Sequence, residues 1–169
     1  LQKNRERALQ EQLDHLSFVA YGGITFPFED HCFDLVITRY ALHHFPMIEK
    51  TFSEIGRVLK PDGHLFLSDP TPNEDDHERF VDAYMQMKKD GHIKFYTKSE
   101  WKELADKIHM KLESCFDSEV RFPKKRNTAL EFDDLLKKYD HNVIKGYDLS
   151  YDEEEIYLTE RVNNLLFKR

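Results

Sequence analysis

The stretch FPFEDHCFDLVITRYALHHFPMIEKTFSEIGRVLKPDGHLFLSD, residues 26–69, decides the fold of this chain. Within it, Phe33–Thr38 has a continuous centre of aliphatic and β-branched side chains, which is typical of a strand covered on both faces in a parallel sheet. Leu65–Leu67 is a second short apolar run and predicts the next strand.

The segment between these two runs has the pattern of an amphipathic helix. Its apolar residues recur at the i, i+4, i+7, i+11 spacing that places them on one face: Ile48, Phe52, Ile55 and Leu59. The turn Lys60–Gly63 follows, because proline cannot continue a helix and Asp-Gly favours a change of direction. The stretch therefore predicts a β-α-β unit, which places the loop containing His43 and His44 at the carboxyl edge of the sheet.

The remaining patterns extend this alternation along the chain. Helices are predicted at 1–16, at 75–89, after a capping box at 97–100, and around 130–139; strands are predicted at 17–21, 112–122 and 162–168. This order predicts an α/β fold with a mainly parallel sheet. We expect one domain over residues 1–169, with a helical insertion at 123–160 before the last strand.

Composition narrows the classes of partner and compartment. A formal charge of −7 argues against nucleic acid as a partner, and no apolar run is long enough to span a membrane. The basic run Lys124–Arg126 is interpreted as a solvated loop. Cys32 and Cys115 are expected to be buried thiols, which favours a reducing, cytoplasmic location. The chain has no signal-peptide pattern.

Residues 26–45 and the run EIGRVLKPDGHLFLSD (54–69) resemble the middle part of class I S-adenosylmethionine-dependent methyltransferases that act on small molecules. The segment DGHIKFYTKSEWKELADKI (90–108) resembles one branch of that family. The resemblance covers about residues 1–120 and implies a Rossmann-like fold with sheet order 3-2-1-4-5-7-6. The fold would bind S-adenosylmethionine across the carboxyl ends of its strands.

The resemblance also implies which residues lie beside the cofactor. They are Gly22, Gly23, Ile24, Thr38, Arg39, Tyr40 and His43. Gly22 stands where the family usually has an acidic residue that accepts a hydrogen bond from adenine. The glycine-rich loop and the acid of the second strand are expected upstream of Leu1, so that the N-terminal strands are missing and the domain is truncated.

Three residues are candidates for the catalytic role: His44, Asp69 and His92. Each has an alternative interpretation. One of the adjacent histidines would pack under the helix with its ring bonded to backbone, and Asp69 would cap a turn or helix. His92 would be either part of the acceptor site or an exposed loop residue. Metal binding is not expected, because no carboxylate or cysteine lies at ligand spacing from the histidine pair.

Arg39 follows the first strand of the unit and is positioned to recognise a carboxylate or phosphate on the acceptor, or to form a surface ion pair. The strand Phe33–Thr38 would also lose its inner neighbour if the first two strands of the family are absent. We therefore expect either that Ser17–Tyr21 covers its open edge, or that two chains associate there as a homodimer.

The first functional hypothesis is an S-adenosylmethionine-dependent methyltransferase acting on an unidentified small-molecule acceptor. The alternative is a catalytically inactive methyltransferase-like domain with an interaction or regulatory role, which the Gly22 departure favours. A different α/β nucleotide-binding protein is a third interpretation. The sequence does not distinguish among oxygen, nitrogen, carbon and sulfur as the methylated atom.

Overall fold

A mixed sheet organises the structure, a computed structural model that describes residues 1–88, 90–125 and 129–169. The strand order is β1-β2-β5-β3, with the short β4 paired to β5. β1 and β2 are parallel, whereas β5 is antiparallel to both β2 and β3. We expected a mainly parallel sheet, and the described strands are instead parallel only at the β1–β2 pair. The order itself matches the 4-5-7-6 end of the family's sheet.

The bounds of the elements are as follows. The strands are β1 (Phe33–Arg39), β2 (Leu59–Thr71), β3 (Lys111–Lys125), β4 (Ser150–Tyr151) and β5 (Glu155–Lys168). The helices are α1 (Gln2–Gln10), α2 (Ile48–Val58), α3 (Phe80–Gln86), α4 (Lys98–Lys107), α5 (Ala129–Leu136) and α6 (His141–Gly146), and a short 3-10 turn spans Leu42–His44.

The first hydrophobic core lies between α2, α4 and one face of the sheet. Phe52 and Ile55 of α2 are almost fully buried, as their helical spacing predicted. The prediction is wrong at the end of the helix: Leu59 begins β2, and the expected turn Lys60–Gly63 lies within that strand. The ring of Phe52 stacks on Trp101 of α4 at a centroid distance of 5.7 Å. Burial of this pair attaches the connecting helix to the sheet, and it thereby fixes where the loop after β1 emerges.

A second core is built by α3, α5, α6 and the first half of β5. It contains Phe80, Tyr84, Phe132, Tyr147 and Leu158, all of them buried. The region in which we expected a helical insertion, 123–160, holds α5, α6 and β4. Its two ends belong to the sheet, because residues 123–125 continue β3 and residues 155–160 belong to β5.

Three helix predictions differ from the structure at their boundaries. α1 ends at Gln10 rather than 16, and its apolar Leu9 is 73% exposed, so little burial supports a longer helix. α3 begins at Phe80 rather than 75. The Asp76 carboxylate accepts hydrogen bonds from the backbone N–H groups of Phe80 and Val81 at 2.7 and 3.0 Å, which sets the start of the helix. α5 ends at Leu136 rather than 139.

The predicted capping box at the start of α4 is present. Thr97 accepts a hydrogen bond from the backbone N–H of Glu100, and the Glu100 side chain accepts one from the backbone N–H of Thr97. This reciprocal pair satisfies backbone donors that the first turn of a helix leaves free, and it orients the segment that precedes α4.

The prediction that β1 is covered on both faces is wrong for this chain. Leu35 and Ile37 are 47% and 64% exposed, so their face of the strand is largely open to solvent. The expectation that Ser17–Tyr21 covers the open edge is also wrong, since that segment forms neither helix nor strand. Cys32 and Cys115 are exposed rather than buried. Cys115 lies on the edge strand β3, and Cys32 directly precedes the edge strand β1.

Arg57 anchors the segment that leads into β1. Its guanidinium donates to the carbonyl oxygens of Phe26 and Phe28 at 2.9 and 2.8 Å and to the carboxylates of Asp30 and Glu54 at 2.7 and 2.8 Å. These contacts lower the pKa of Glu54 and raise that of Arg57. The arginine of the RVLKP run therefore acts structurally, by tying the FPF segment to α2.

Within the residues that the structure describes, none of the helices has the length and apolar character that a membrane crossing requires.

Candidate active site

The carboxyl ends of β1 and β2 meet at one edge of the sheet. β1 ends at Arg39, and Tyr40 then adopts a left-handed backbone conformation with φ of +49°. The backbone N–H of Tyr40 donates to the Ser68 carbonyl at 2.9 Å. A non-glycine residue in this conformation is uncommon, and it turns the chain sharply into the 3-10 turn containing the two histidines.

This turn places His43 directly against Asp69 of β2. The His43 Nδ1 atom lies 2.5 Å from the Asp69 Oδ1 atom, and the two residues are 5% and 1% exposed. Two sequence interpretations are thereby corrected. Asp69 does not cap a turn or helix, and the His43 ring bonds to a side chain rather than to backbone, because the parallel strands bring both residues to the same edge.

A second buried pair, His92 and Asp82, lies next to the His43–Asp69 pair. His92 Nε2 lies 2.8 Å from Asp82 Oδ1, and the same oxygen accepts the backbone N–H of Phe95 at 2.7 Å. The His43 and His92 rings are 5.5 Å apart between centroids. The interpretation of His92 as an exposed loop residue is therefore wrong, since its side chain is fully enclosed. Asp82 was missed, because nothing in the spacing of α3 distinguishes it from a surface acid.

His44 lies beside this cluster, with its ring centroid 4.1 Å from that of His43. Its Nδ1 atom and the Asp69 Oδ2 atom are buried and have no hydrogen-bond partner among the described residues. Buried polar atoms of this kind are ordinarily satisfied, so a ligand or water is expected to complete them. In the same described ranges, no group of three histidine, cysteine or acidic side chains is arranged to hold a metal ion.

The residues proposed for the cofactor separate into two groups. Gly22, Gly23 and Ile24 lie in an irregular exposed segment, and a Cβ atom added at either glycine would meet nothing within 4 Å. Thr38 is half-buried in β1, and the exposed Arg39 guanidinium lies 4.4 Å from the centre of the Tyr40 ring. The fold thus places Thr38 to His43 together at the sheet edge, whereas residues 22–24 remain exposed.

A cavity of about 300 Å³ opens at this edge. Tyr40, His43 and Pro70 line one part of it, and Lys88, Lys124 and Glu160 line another. The interpretation of Lys124 as part of a solvated loop is wrong: its side chain is 13% exposed and forms an ion pair with Glu160. Lys125 also belongs to β3, and Arg126 lies outside the described residues.

A sequence signal for Lys124 existed. Val120, Phe122 and Lys124 alternate along β3, so that they share one face of the strand. Lys88 and Glu160 had no comparable signal, because an acid in a strand and a lysine at a helix end are ordinary surface residues in most contexts.

Comparison with known proteins identifies the family of this chain. A family model described as a methyltransferase domain matches residues 3–114. The uncharacterized methyltransferase YcgJ of Bacillus subtilis is 26% identical over 132 residues, which cover 78% of this chain and 49% of YcgJ. The ubiquinone/menaquinone biosynthesis C-methyltransferase UbiE of Brucella canis is 43% identical over 62 residues, 36% of this chain and 23% of UbiE. The chain thus spans about half the length of YcgJ, and its match to UbiE spans about a quarter of the length of UbiE.

Solved structures show the same fold. The methyltransferase candidate BH2331 of Bacillus halodurans C-125 superposes with a TM-score of 0.80 at 22% identity, over 91% of this chain and 78% of that one. The YcgJ structure gives a TM-score of 0.77 at 20% identity, over 98% and 76% of the two chains. At these identities the likeness shows the Rossmann-like methyltransferase fold. With the family model covering residues 3–114, the chain belongs to the class I S-adenosylmethionine-dependent methyltransferase family.

Proposed function

We propose that this chain forms the acceptor-side part of a methyltransferase that uses S-adenosylmethionine and acts on a small organic molecule. The contact between His43 and Asp69 carries the proposal, because it places a carboxylate-oriented imidazole at the carboxyl edge of β1 and β2 and beside a cavity. Family membership and the position of this edge support the same assignment.

The residues at this edge fit the amino-acid half of the cofactor. His44 Nδ1 and Asp69 Oδ2 are buried polar atoms in need of partners, and Thr38, Arg39 and Tyr40 surround the same strand ends. We propose these residues as its binding positions. S-adenosylmethionine supplies an activated methyl group when bound.

His43 is the proposed proton acceptor. Because Asp69 holds Nδ1, the Nε2 atom of the ring is the nitrogen left to take a proton from an acceptor group. Asp69 fixes the tautomer and the orientation of the ring. His92 and Asp82 are proposed as positioning residues, since the His92 ring is enclosed and packs against His43 and Phe95.

A specific observation favours the alternative, an inactive methyltransferase-like domain. Gly22 replaces the acidic residue usual in the family, and residues 22–24 form no enclosed site for adenine with the other described residues. A domain of this kind would keep the fold and act through interaction or regulation.

Calorimetric titration with S-adenosylhomocysteine separates the two functions. The methyltransferase predicts micromolar binding by this chain, or by the same protein extended upstream, and weaker binding when His44 and Asp69 are replaced. Absence of binding by both forms would contradict the methyltransferase and favour the inactive domain. The matched control is Lys102→Gln, an exposed residue of α4, which should leave binding unchanged.

A further inference from the structure

Two lysines that line the cavity beside His43 have their ammonium groups near one aromatic ring, that of Tyr84. The Lys124 Nζ atom lies 5.1 Å from the centre of the Tyr84 ring, and the Lys88 Nζ atom lies 6.0 Å from it. Lys124 comes from β3 and Lys88 follows α3, so two separate elements bring positive charge to one wall of the cavity.

The two lysines differ in how their charges are compensated. Lys124 is paired with Glu160, whose side chain is 9% exposed. That pair is electrically neutral. The Lys88 ammonium forms no ion pair with any residue that the structure describes, although the Asp90 and Glu160 carboxylates act on it from farther away. Burial, the Lys124 charge and contact with Lys124 together lower the pKa of Lys88 to about 7. The Lys88 residue as a whole remains exposed, so water screens part of this effect.

Most of the remaining lining is apolar. Met85, Phe95 and Val120 contribute to it, and Phe122, which is 57% exposed, stands at the wall formed by β3. A thioether and two aromatic rings favour a flat hydrocarbon body over a sugar or a peptide. The lining therefore combines an apolar surface with a single excess positive charge.

We propose that this cavity binds an organic anion with a flat apolar body and one carboxylate or phosphate group, which the Lys88 ammonium pairs with. The inference rests on the proposed function, since this molecule would be the methyl acceptor. Glu160 does not favour a cationic ligand, because Lys124 already neutralises its charge. Arg39, which the sequence suggested for this role, lies over the Tyr40 ring and is not part of the cavity lining.

The test compares two probes of the same shape. Calorimetric titration uses 2-naphthoate and its neutral analogue 2-naphthalenemethanol, at low ionic strength and slightly acidic pH, so that screening stays weak and Lys88 is protonated. The unmodified chain should bind 2-naphthoate about tenfold more tightly than the alcohol. Lys88→Gln should remove that preference, whereas Lys88→Arg should keep it.

A charge change in the opposite direction gives an independent readout. Glu160→Gln releases the Lys124 ammonium, so it should increase 2-naphthoate affinity severalfold and leave affinity for the alcohol unchanged. Lys102→Gln on the exposed face of α4 serves as the control and should alter neither affinity. Circular dichroism verifies that each variant is folded.

The proposal is overturned if the unmodified chain binds both probes equally, if it binds neither, or if Lys88→Gln retains the preference for the acid. None of these measurements needs the cofactor. A positive result, with no S-adenosylhomocysteine binding by this chain or by its upstream-extended form, would keep the anion site and reject the methyltransferase. The reverse result would reject only the anion site.

Discussion

The His43 imidazole and the Asp69 carboxylate are joined by a buried contact of 2.5 Å, although 26 positions separate them in the chain. Asp69 lies near the carboxyl end of β2, and His43 lies in the 3-10 turn that follows the neighbouring parallel strand β1. The parallel pairing is therefore what creates the contact. It also makes the acceptor edge of this fold a place where side chains from two strands act on one ligand.

We expect the His43–Asp69 pair to show energetic coupling. Asp69→Leu leaves the buried His43 Nδ1 without its partner and should lower the free energy of unfolding by about 1–3 kcal/mol. Adding His43→Phe should recover part of that loss, giving a coupling energy of about 1–3 kcal/mol in a double-mutant cycle measured by urea denaturation. Additive effects of the two substitutions would show that the pair does not interact.

Gly63 is expected to resist even a small side chain. A Cβ atom there would lie 2.9 Å from the Lys60 carbonyl oxygen and 3.2 Å from Leu59 Cδ2, so Gly63→Ala should destabilise the chain by about 1–3 kcal/mol. Gly22→Ala is the matched control, because nothing lies within 4 Å of its Cβ position. Equal urea midpoints for the two variants would contradict the crowding at Gly63.

The open edge of β1 is expected to promote self-association. Leu35 and Ile37 expose apolar side chains on a strand that has a free edge among the described residues. We propose a concentration-dependent homodimer in sedimentation velocity experiments, which Ile37→Lys should shift towards monomer. Leu9→Lys changes a residue that is 73% exposed on α1 and should have no effect. A monomer at all concentrations would exclude this association.

Arg57 should link stability to acid pH through Glu54. The pKa of Glu54 lies below its ordinary value of 4.5 in the folded chain because Arg57 bonds to its carboxylate. That contribution is complete above pH 4.5 and is lost as the pH falls through the folded pKa. Arg57→Gln should therefore lower the Tm by several degrees near neutral pH, and the difference should shrink in acid. A difference that is constant with pH in thermal scans would rule out this linkage.

Lys88 should also make stability rise with pH, but in an alkaline window. Burial is the largest cause that lowers the pKa of Lys88 to about 7 in the folded chain, against an ordinary value of 10.5. Protonation of Lys88 therefore destabilises the folded chain. The charges of Lys124, Glu160 and Asp90 act on the same group. Between pH 7 and 10.5 the unfolded chain binds more protons, and stability relative to Lys88→Gln should rise with pH in this window. Parallel denaturation curves across that range would contradict the lowered pKa.

Much of the local structure follows from sequence pattern. The β-α-β unit, the capping box at Thr97 and Glu100, and the buried stripe of α2 depend on spacing within one or two turns of chain, and all three are present. The family was also readable, because the RVLKP run and the strand before it form a contiguous motif. Helix ends were less predictable, since α1 ends where burial is lost and α3 begins where the Asp76 side chain accepts hydrogen bonds from its first residues.

The site depended on contacts that no local pattern contains. His43 was proposed from its loop, but its partner Asp69 follows only from the pairing of β1 with β2. Lys124 was predicted to be solvated, and Glu160 on the adjacent β5 draws it into the cavity wall. Leu35 and Ile37 have the sequence of a covered strand and remain exposed. Short-range spacing thus determined which helices and strands form. Tertiary packing decided which charged side chains form pairs and which apolar faces stay exposed, because burial and ion pairing depend on neighbours that are distant in sequence.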